Sequence, residues 1–228
     1  MKHAWLVLSL ISFTATAQQP TKALVLGPQQ KVEGLAQIDY AERWWQWLMR
    51  LPDGVRAFQD PSGAQCGMNQ SGQVWFLAGT EGTAKVKRQC DLPGGRFIFF
   101  PVIAMIRSSA PGKVLDCRRA RAQVHGNNDH LAEASVEIDS VMVANVLTHR
   151  IRSTRCFDAY AKAGYMEHSE DYLPAATEGY WLMLSPLSPG PHRLVVHARY
   201  DNPGKPGGDM EQAFEYEMWV APAEQKFP

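Results

Sequence analysis

The chain lacks the local signatures from which an activity is usually read. No G-x-S-x-G nucleophile elbow, H-E-x-x-H zinc motif, phosphate-binding loop or dinucleotide fingerprint occurs in its 228 residues. Catalytic residues therefore stay unassigned, an enzyme is less expected than a binding protein, and no cofactor is expected. No two cysteines are spaced as CxxC, which removes the commonest zinc framework. Neither sign of charge is in surplus: 23 Lys and Arg face 23 Asp and Glu, so the total gives no reason to bind nucleic acid. Beyond the first residues no apolar run approaches the roughly 20 needed for a bilayer helix. There is no internal repeat and no low-complexity tract. A core is not lacking: 45% hydrophobic and 10% aromatic residues suit a packed globule.

The first segment and the cysteines are informative. Lys2 and His3 precede the apolar stretch AWLVLSLISF, and Ala15-Thr16-Ala17 has the A-x-A form of a cleavage site. Residues 1–17 are expected to be a signal peptide, 18–34 an extended leader, and 35–228 one β-rich domain. Four cysteines allow three pairings. Cys66–Cys90 and Cys117–Cys156 are favoured, because each closes a moderate loop between neighbouring candidate strands. Each bridge contributes about 2–4 kcal/mol by restricting the unfolded chain. Disulfides and a signal peptide together predict a periplasmic or secreted protein.

One helix is expected, over about residues 35–50. Tyr40, Trp44, Trp47, Leu48 and Leu51 recur at helical spacing, Asp39 lies near the start, and Pro52 stops it. Trp44, Trp47 and Leu48 share the packed face; Trp45 is the surface candidate. From residue 73 the pattern changes to strands. VWFLA (74–78) and FIFFPVI (97–103) read as strands buried on both faces, with an exposed strand over 84–90 between them. Pro101 predicts a strand end, a bulge or an edge. Near the C-terminus, Leu194, Val196, Ala198 and Tyr200 alternate with polar residues, as do Phe214, Tyr216, Met218 and Val220. Placing His197 opposite Glu217 and Arg199 opposite Glu215 satisfies both faces of an antiparallel pair. The expected fold is all-β: a β-sandwich, jelly-roll or immunoglobulin-like, with one N-terminal amphipathic helix packed on it.

Three segments carry a resemblance: WWQWLMRLP, the Cys66-to-Cys90 block with QSGQVWFLAGT and LPGGRFIFFPVI, and EGYWLMLSPLSPGPHRLVVHARY. Together they resemble a group of secreted bacterial proteins of unknown function. The resemblance implies export, a Cys66–Cys90 bridge and a β-rich fold, and no catalytic residues. LSPGPHRLVVHARYD is also similar to the penultimate strand of many immunoglobulin-like extracellular modules.

The remaining chemistry lies in charge placement. His125, Asp129 and His130 are candidate metal ligands within a short polar stretch, although a metal is not favoured. Glu167 to Asp171 (EHSED) is a second polar cluster. Residues 105–128 hold Arg107, Lys113, Arg118, Arg119 and Arg121 against Asp116, whereas residues 158–217 hold ten acids against Lys162, Arg193, Arg199 and Lys205. A Cys117–Cys156 bridge would gather Arg118, Arg119, Arg121, Arg150, Arg152 and Arg155 around one disulfide. Such a patch suits an anionic partner: an acidic polysaccharide, a lipid head group or an acidic protein. The sequence thus favours an exported binding or envelope-interaction module. The alternatives are a secreted glycan hydrolase with carboxylates from separate loops and a periplasmic metal-binding protein.

Overall fold

A computed structural model describes residues 25–82 and 85–223. The expected signal peptide, 1–17, lies outside the described residues. Among those described, ten strands form two mixed five-stranded sheets, accompanied by two α-helices. The first sheet holds β1 (Val25–Leu26), β2 (Val74–Phe76), β4 (Phe97–Ser108), β7 (Arg150–Arg152) and β8 (Ala175–Leu184). Its order is β1-β8-β4-β2, and β7 shares the β1 edge of β8. The second sheet has the order β3-β10-β9-β5-β6: Lys85–Leu92, Glu211–Val220, Gly190–Tyr200, Leu131–Ile138 and Val141–Met142. Pairs β2/β4 and β3/β10 are parallel; the other pairings are antiparallel.

Two apolar clusters hold the layers. One lies between the sheets and takes Ile98 and Phe100 from β4, Leu182 and Leu184 from β8, and the inward rows of β9 and β10. The second lies between the outer face of the first sheet and α1 (Gln37–Leu48). Helix α1 starts where expected: Asp39 Oδ2 accepts from the Ala36 N–H at 3.0 Å. Its indoles act as anchors. Trp44 Nε1 donates to Leu77 O at 2.9 Å and Trp47 Nε1 to Met68 O at 2.8 Å. Trp44 also meets Trp181 edge-on. Each buried indole removes roughly 200 Å² from water, up to about 5 kcal/mol of transfer free energy.

The structure corrects three expectations. Trp45 is not at the surface: it is buried, and its Nε1 donates to Thr177 Oγ1 at 2.7 Å. With a hydrogen-bond partner inside, the indole gains nothing from solvent. A second helix, α2 (Cys117–Asn128), also exists beside the single one expected, and it packs on β4 and β8. The β9/β10 register differs as well. Arg199 faces Glu211 instead of Glu215, and Arg193 faces Glu217. The shift keeps every inward residue inward and pairs the strands along their whole length, from Gly190–Val220 to Arg199–Glu211. Ladder hydrogen bonds outweigh two surface ion pairs worth about 0.2–1 kcal/mol each. Opposite charges still meet: Arg193 Nη2 lies 2.8 Å from Glu215, and His197 Nε2 lies 3.1 Å from Glu211.

Pro101 marks a bulge, as expected. Val102 is the extra residue between the Pro101–Trp181 and Ile103–Tyr180 pairs. The strand changes phase there. Ile98, Phe100 and Val102 face the inter-sheet core before it, and Ile103 and Met105 after it.

Both favoured disulfides form, with Cα–Cα distances of 6.0 Å for Cys66–Cys90 and 5.8 Å for Cys117–Cys156. Beside the first, Arg88 of β3 is 1% exposed. Its guanidinium donates to the carbonyls of Phe58, Asp60, Ala78 and Gly79 at 2.7–3.0 Å and to Tyr216 Oη at 3.2 Å. It thereby joins the second sheet to the segment leaving β2 and to the loop before Cys66. Arg88→Met should cost about 3 kcal/mol or more by stranding those acceptors. The check is a lower urea midpoint at unchanged m-value; a midpoint within experimental error of the parent would refute the clamp.

Candidate functional site

The site begins with α2, which its sequence stabilises poorly on its own. Asp116 caps it, accepting from the Arg119 N–H at 2.7 Å. Only Ala120 and Val124 enter the inter-sheet core. The C-terminal end is fixed by polar bonds: Tyr200 Oη donates to Asn128 Oδ1 at 2.6 Å, and Asn128 Nδ2 donates to Val124 O at 2.8 Å. The Cys117–Cys156 bridge ties the first turn to the segment after β7.

That bridge gathers the six arginines unevenly. Arg118, Arg121 and Arg152 line one cleft of about 350 Å³, together with Ser153, Thr177 and Glu178. Arg121 Nε donates to Ser153 O at 3.1 Å. All three are exposed, and among the described residues none has a carboxylate within ion-pair distance. The other three arginines are taken up elsewhere. Arg119 pairs with Asp116 at 3.6 Å, and Arg155 reaches α1 at Asp39, 3.2 Å away. Arg150 turns inward, 2.6 Å from Glu178 and 2.7 Å from Asp129.

Glu178 is the residue that the sequence reading missed. It lies on the wholly buried strand β8, with its side chain 2% exposed. An isolated acid in the apolar run AATEGYWLML was the available signal, since buried charge requires a partner. His125 completes the group, with Nδ1 3.1 Å from Glu178 and Nε2 3.1 Å from Asp129. The Arg150 hydrogen bond holds the Asp129 carboxyl below its ordinary range. Burial opposes the Arg150 charge, but hydrogen bonds to Asp129 and Glu178 outweigh it and raise its pKa. A carboxyl ionised in this way is a poor general acid, which must carry a proton.

The candidate metal ligands do not converge. His125 and Asp129 meet, but Arg150 occupies the space beside Asp129, and the His130 ring bonds to neither. Among the described residues no group of three or more His, Cys, Asp or Glu side chains is placed to hold a metal. In the 167–171 cluster, His168 and Glu170 approach to 3.4 Å in open solvent. A second basic cleft, of about 340 Å³, sets Arg43, Arg50 and Lys162 around Tyr40 and Trp47.

The two carboxylates should behave differently. Glu178→Gln should cost about 2–4 kcal/mol, because it removes the buried partner of Arg150. Asp129→Asn should cost no more than about 1 kcal/mol, its side chain being half exposed. The Asp129 contribution is present above the ordinary carboxylate pKa of about 3.9 and is lost as pH falls through the lower folded value. Asp129→Asn should therefore flatten the pH dependence of stability below about pH 4. Urea midpoints between pH 2.5 and 7 give the comparison, and an unchanged acid limb would count against the pair.

No protein-family model and no curated protein matches the chain. Among solved structures it is similar to the cysteine protease inhibitor EhICP2 from Entamoeba histolytica, at 11% identity and a TM-score of 0.24, covering 64% of this chain and 95% of that one. It is also similar to Amebosin, at 11% identity and a TM-score of 0.22, covering 66% and 99%. At these values neither likeness carries an argument about fold or function.

Proposed function

We propose that the protein is an exported binding module that takes an acidic glycan at the cleft formed by Arg118, Arg121 and Arg152. One observation carries this: three exposed arginines with no carboxylate partner among the described residues border one cleft beside the Cys117–Cys156 bridge. Planar guanidinium forks match carboxylate and sulfate groups bidentately. Glu178 lies at the cleft but is paired with Arg150, so its charge is offset within the protein. In this reading the facing sheets form a β-sandwich, of jelly-roll or immunoglobulin-like type, that holds the cleft rigid. Two disulfides fit an oxidising compartment, periplasmic or extracellular. Among the described residues no helix is long and apolar enough to cross a membrane.

At the Arg150 cluster the hydrolase alternative would need a protonated carboxyl, whereas Arg150 favours an ionised Asp129. The metal alternative needs ligands that converge, and His125, Asp129 and His130 do not.

The test is retention on immobilised heparin, with salt elution, for the parent, Arg118→Glu/Arg152→Glu and Arg43→Glu/Arg50→Glu. The first variant should elute at clearly lower salt and bind about tenfold or more weakly at low salt. The second should elute with the parent. Unchanged retention of the first variant would overturn the assignment, and loss confined to the second would transfer it to the Arg43 cleft. Anionic-lipid vesicles, run in parallel, distinguish a lipid head group from a glycan.

A further inference from the structure

Strand β2 pairs with β4 only over Phe97–Phe99, and the last contact is Leu77 N–H to Phe99 O at 3.1 Å. The chain then leaves for the second sheet. The Gln212 amide brackets Thr80, accepting from its N–H at 2.7 Å and donating to its carbonyl at 3.0 Å. Gly82 O accepts from the Glu211 N–H at 3.1 Å. On its other side β4 stays paired with β8 as far as Ser108. From Pro101 to Arg107, therefore, one edge of β4 has no strand beside it among the described residues.

That edge borders a cleft of about 340 Å³ in the wedge that β2 leaves open. Trp45 and Leu48 of α1, with Phe58 and Met210, form apolar walls, and Ala104 and Ile106 face in from β4. Arg107 is at the end of the cleft. It is half-buried, and burial pushes its guanidinium pKa down. Its donors reach only carbonyls, those of Ile106 and Pro206, both at 2.9 Å. No carboxylate among the described residues pairs with it. Glu81, on the rim, accepts instead from Gln59 Nε2 at 2.7 Å.

An open strand edge normally carries charge or proline or is covered, because its unpaired N–H and C=O groups recruit another strand. Here Pro101 and Arg107 stand only at the two ends of the edge; between them it is flanked by apolar walls, and the Arg107 cation has no anion among the described residues. An acyl chain would fill the walls and leave the backbone groups unused. We infer that this wedge receives an extended peptide of another protein, added as a strand to the Pro101–Arg107 edge of β4. Apolar side chains at alternate positions enter the cleft, and a carboxylate of the peptide pairs with Arg107. Main-chain hydrogen bonds supply affinity, and the pockets for alternate side chains supply selectivity. The site is separate from the Arg118 cleft and does not depend on the function proposed there.

The test uses the full chain, immobilised, against a random heptapeptide library with free C-termini. Enriched peptides should share alternating apolar positions and one acidic group. Their synthetic forms should protect from hydrogen exchange those amides of residues 102–107 that do not bond to β8. Masking the carboxylate as an amide should weaken binding about tenfold or more, as should Arg107→Met, and the free-acid preference should disappear in that variant. Methylating alternate backbone nitrogens of the peptide should abolish binding to the unaltered protein. No enriched family, protection elsewhere, equal binding of acid and amide, or indifference to backbone methylation would each overturn the proposal. So would decanoate binding in the wedge while the library yields nothing, which would mark a site for apolar acids.

Discussion

The structure depends on the complete burial of one strand. Every residue of β8 is shielded from water, although two of them, Thr177 and Glu178, are polar. Buried polar groups must find partners inside, and the ones these two find come from elements far apart in sequence. Thr177 Oγ1 donates to Met105 O at 2.8 Å and accepts from Trp45, which draws α1 onto the sheet. Glu178 faces the opposite way and takes Arg150 from β7 and His125 from α2. Adjacent residues on one strand thus secure opposite layers of the molecule. Gly179 follows from the same crowding: a Cβ there would run into the backbone of Ala104 and Ile103. The arginines left over from these obligations are the ones that border the Arg118 cleft.

At the other end of the sheets the problem is one of backbone, not side chains. The segment leaving β2 crosses from one sheet to the other and has no ladder to satisfy its carbonyls. Arg88 supplies the donors, and Tyr216 Oη both accepts from the Ala78 N–H at 3.1 Å and donates to Ala78 O at 2.9 Å. A lysine with its single nitrogen could not span these positions, whereas the guanidinium fork does. The Cys66–Cys90 bridge lies beside this network, so covalent and polar ties reinforce the same region.

What the sequence showed and what it hid have physical causes. The inward rows of β9 and β10 were legible because a period of two fixes the faces regardless of register. The register was not legible, because a four-residue shift preserves the faces and leaves other opposite charges in reach. Both disulfides were favoured on loop length, although four cysteines allow three pairings. Helix α2 could not be read from periodicity, since Ala120 and Val124 are its only contributions to the apolar core. Its formation relies on the Asp116 cap, the Cys117 bridge and the Asn128 bonds, none of which forms an apolar pattern. Trp45 misled because helical geometry placed it off the main face, while its indole N–H found a buried hydroxyl across the layer. The arginine grouping was half visible: the bridge foretold proximity, but Glu178, Asp129, Asp116 and Asp39 decided which arginines remained unpaired.

The extra residue in β4 bears on how such a surface changes by insertion and deletion. Before Val102 the even-numbered side chains enter the inter-sheet core; after it the odd-numbered ones do. Val102 and Ile103 both point inward, so the bulge absorbs the extra residue; in a regular ladder the same residues would turn Ile103 and Met105 toward α1 and send the smaller Ala104 into the middle of the molecule. In an unbulged ladder a single insertion would exchange the two faces of everything that follows; taken up as a bulge, it leaves them in place. In a lineage of related chains, gain or loss of one residue at this point would therefore leave the walls of the wedge as they are, the change in length being confined to the bulge.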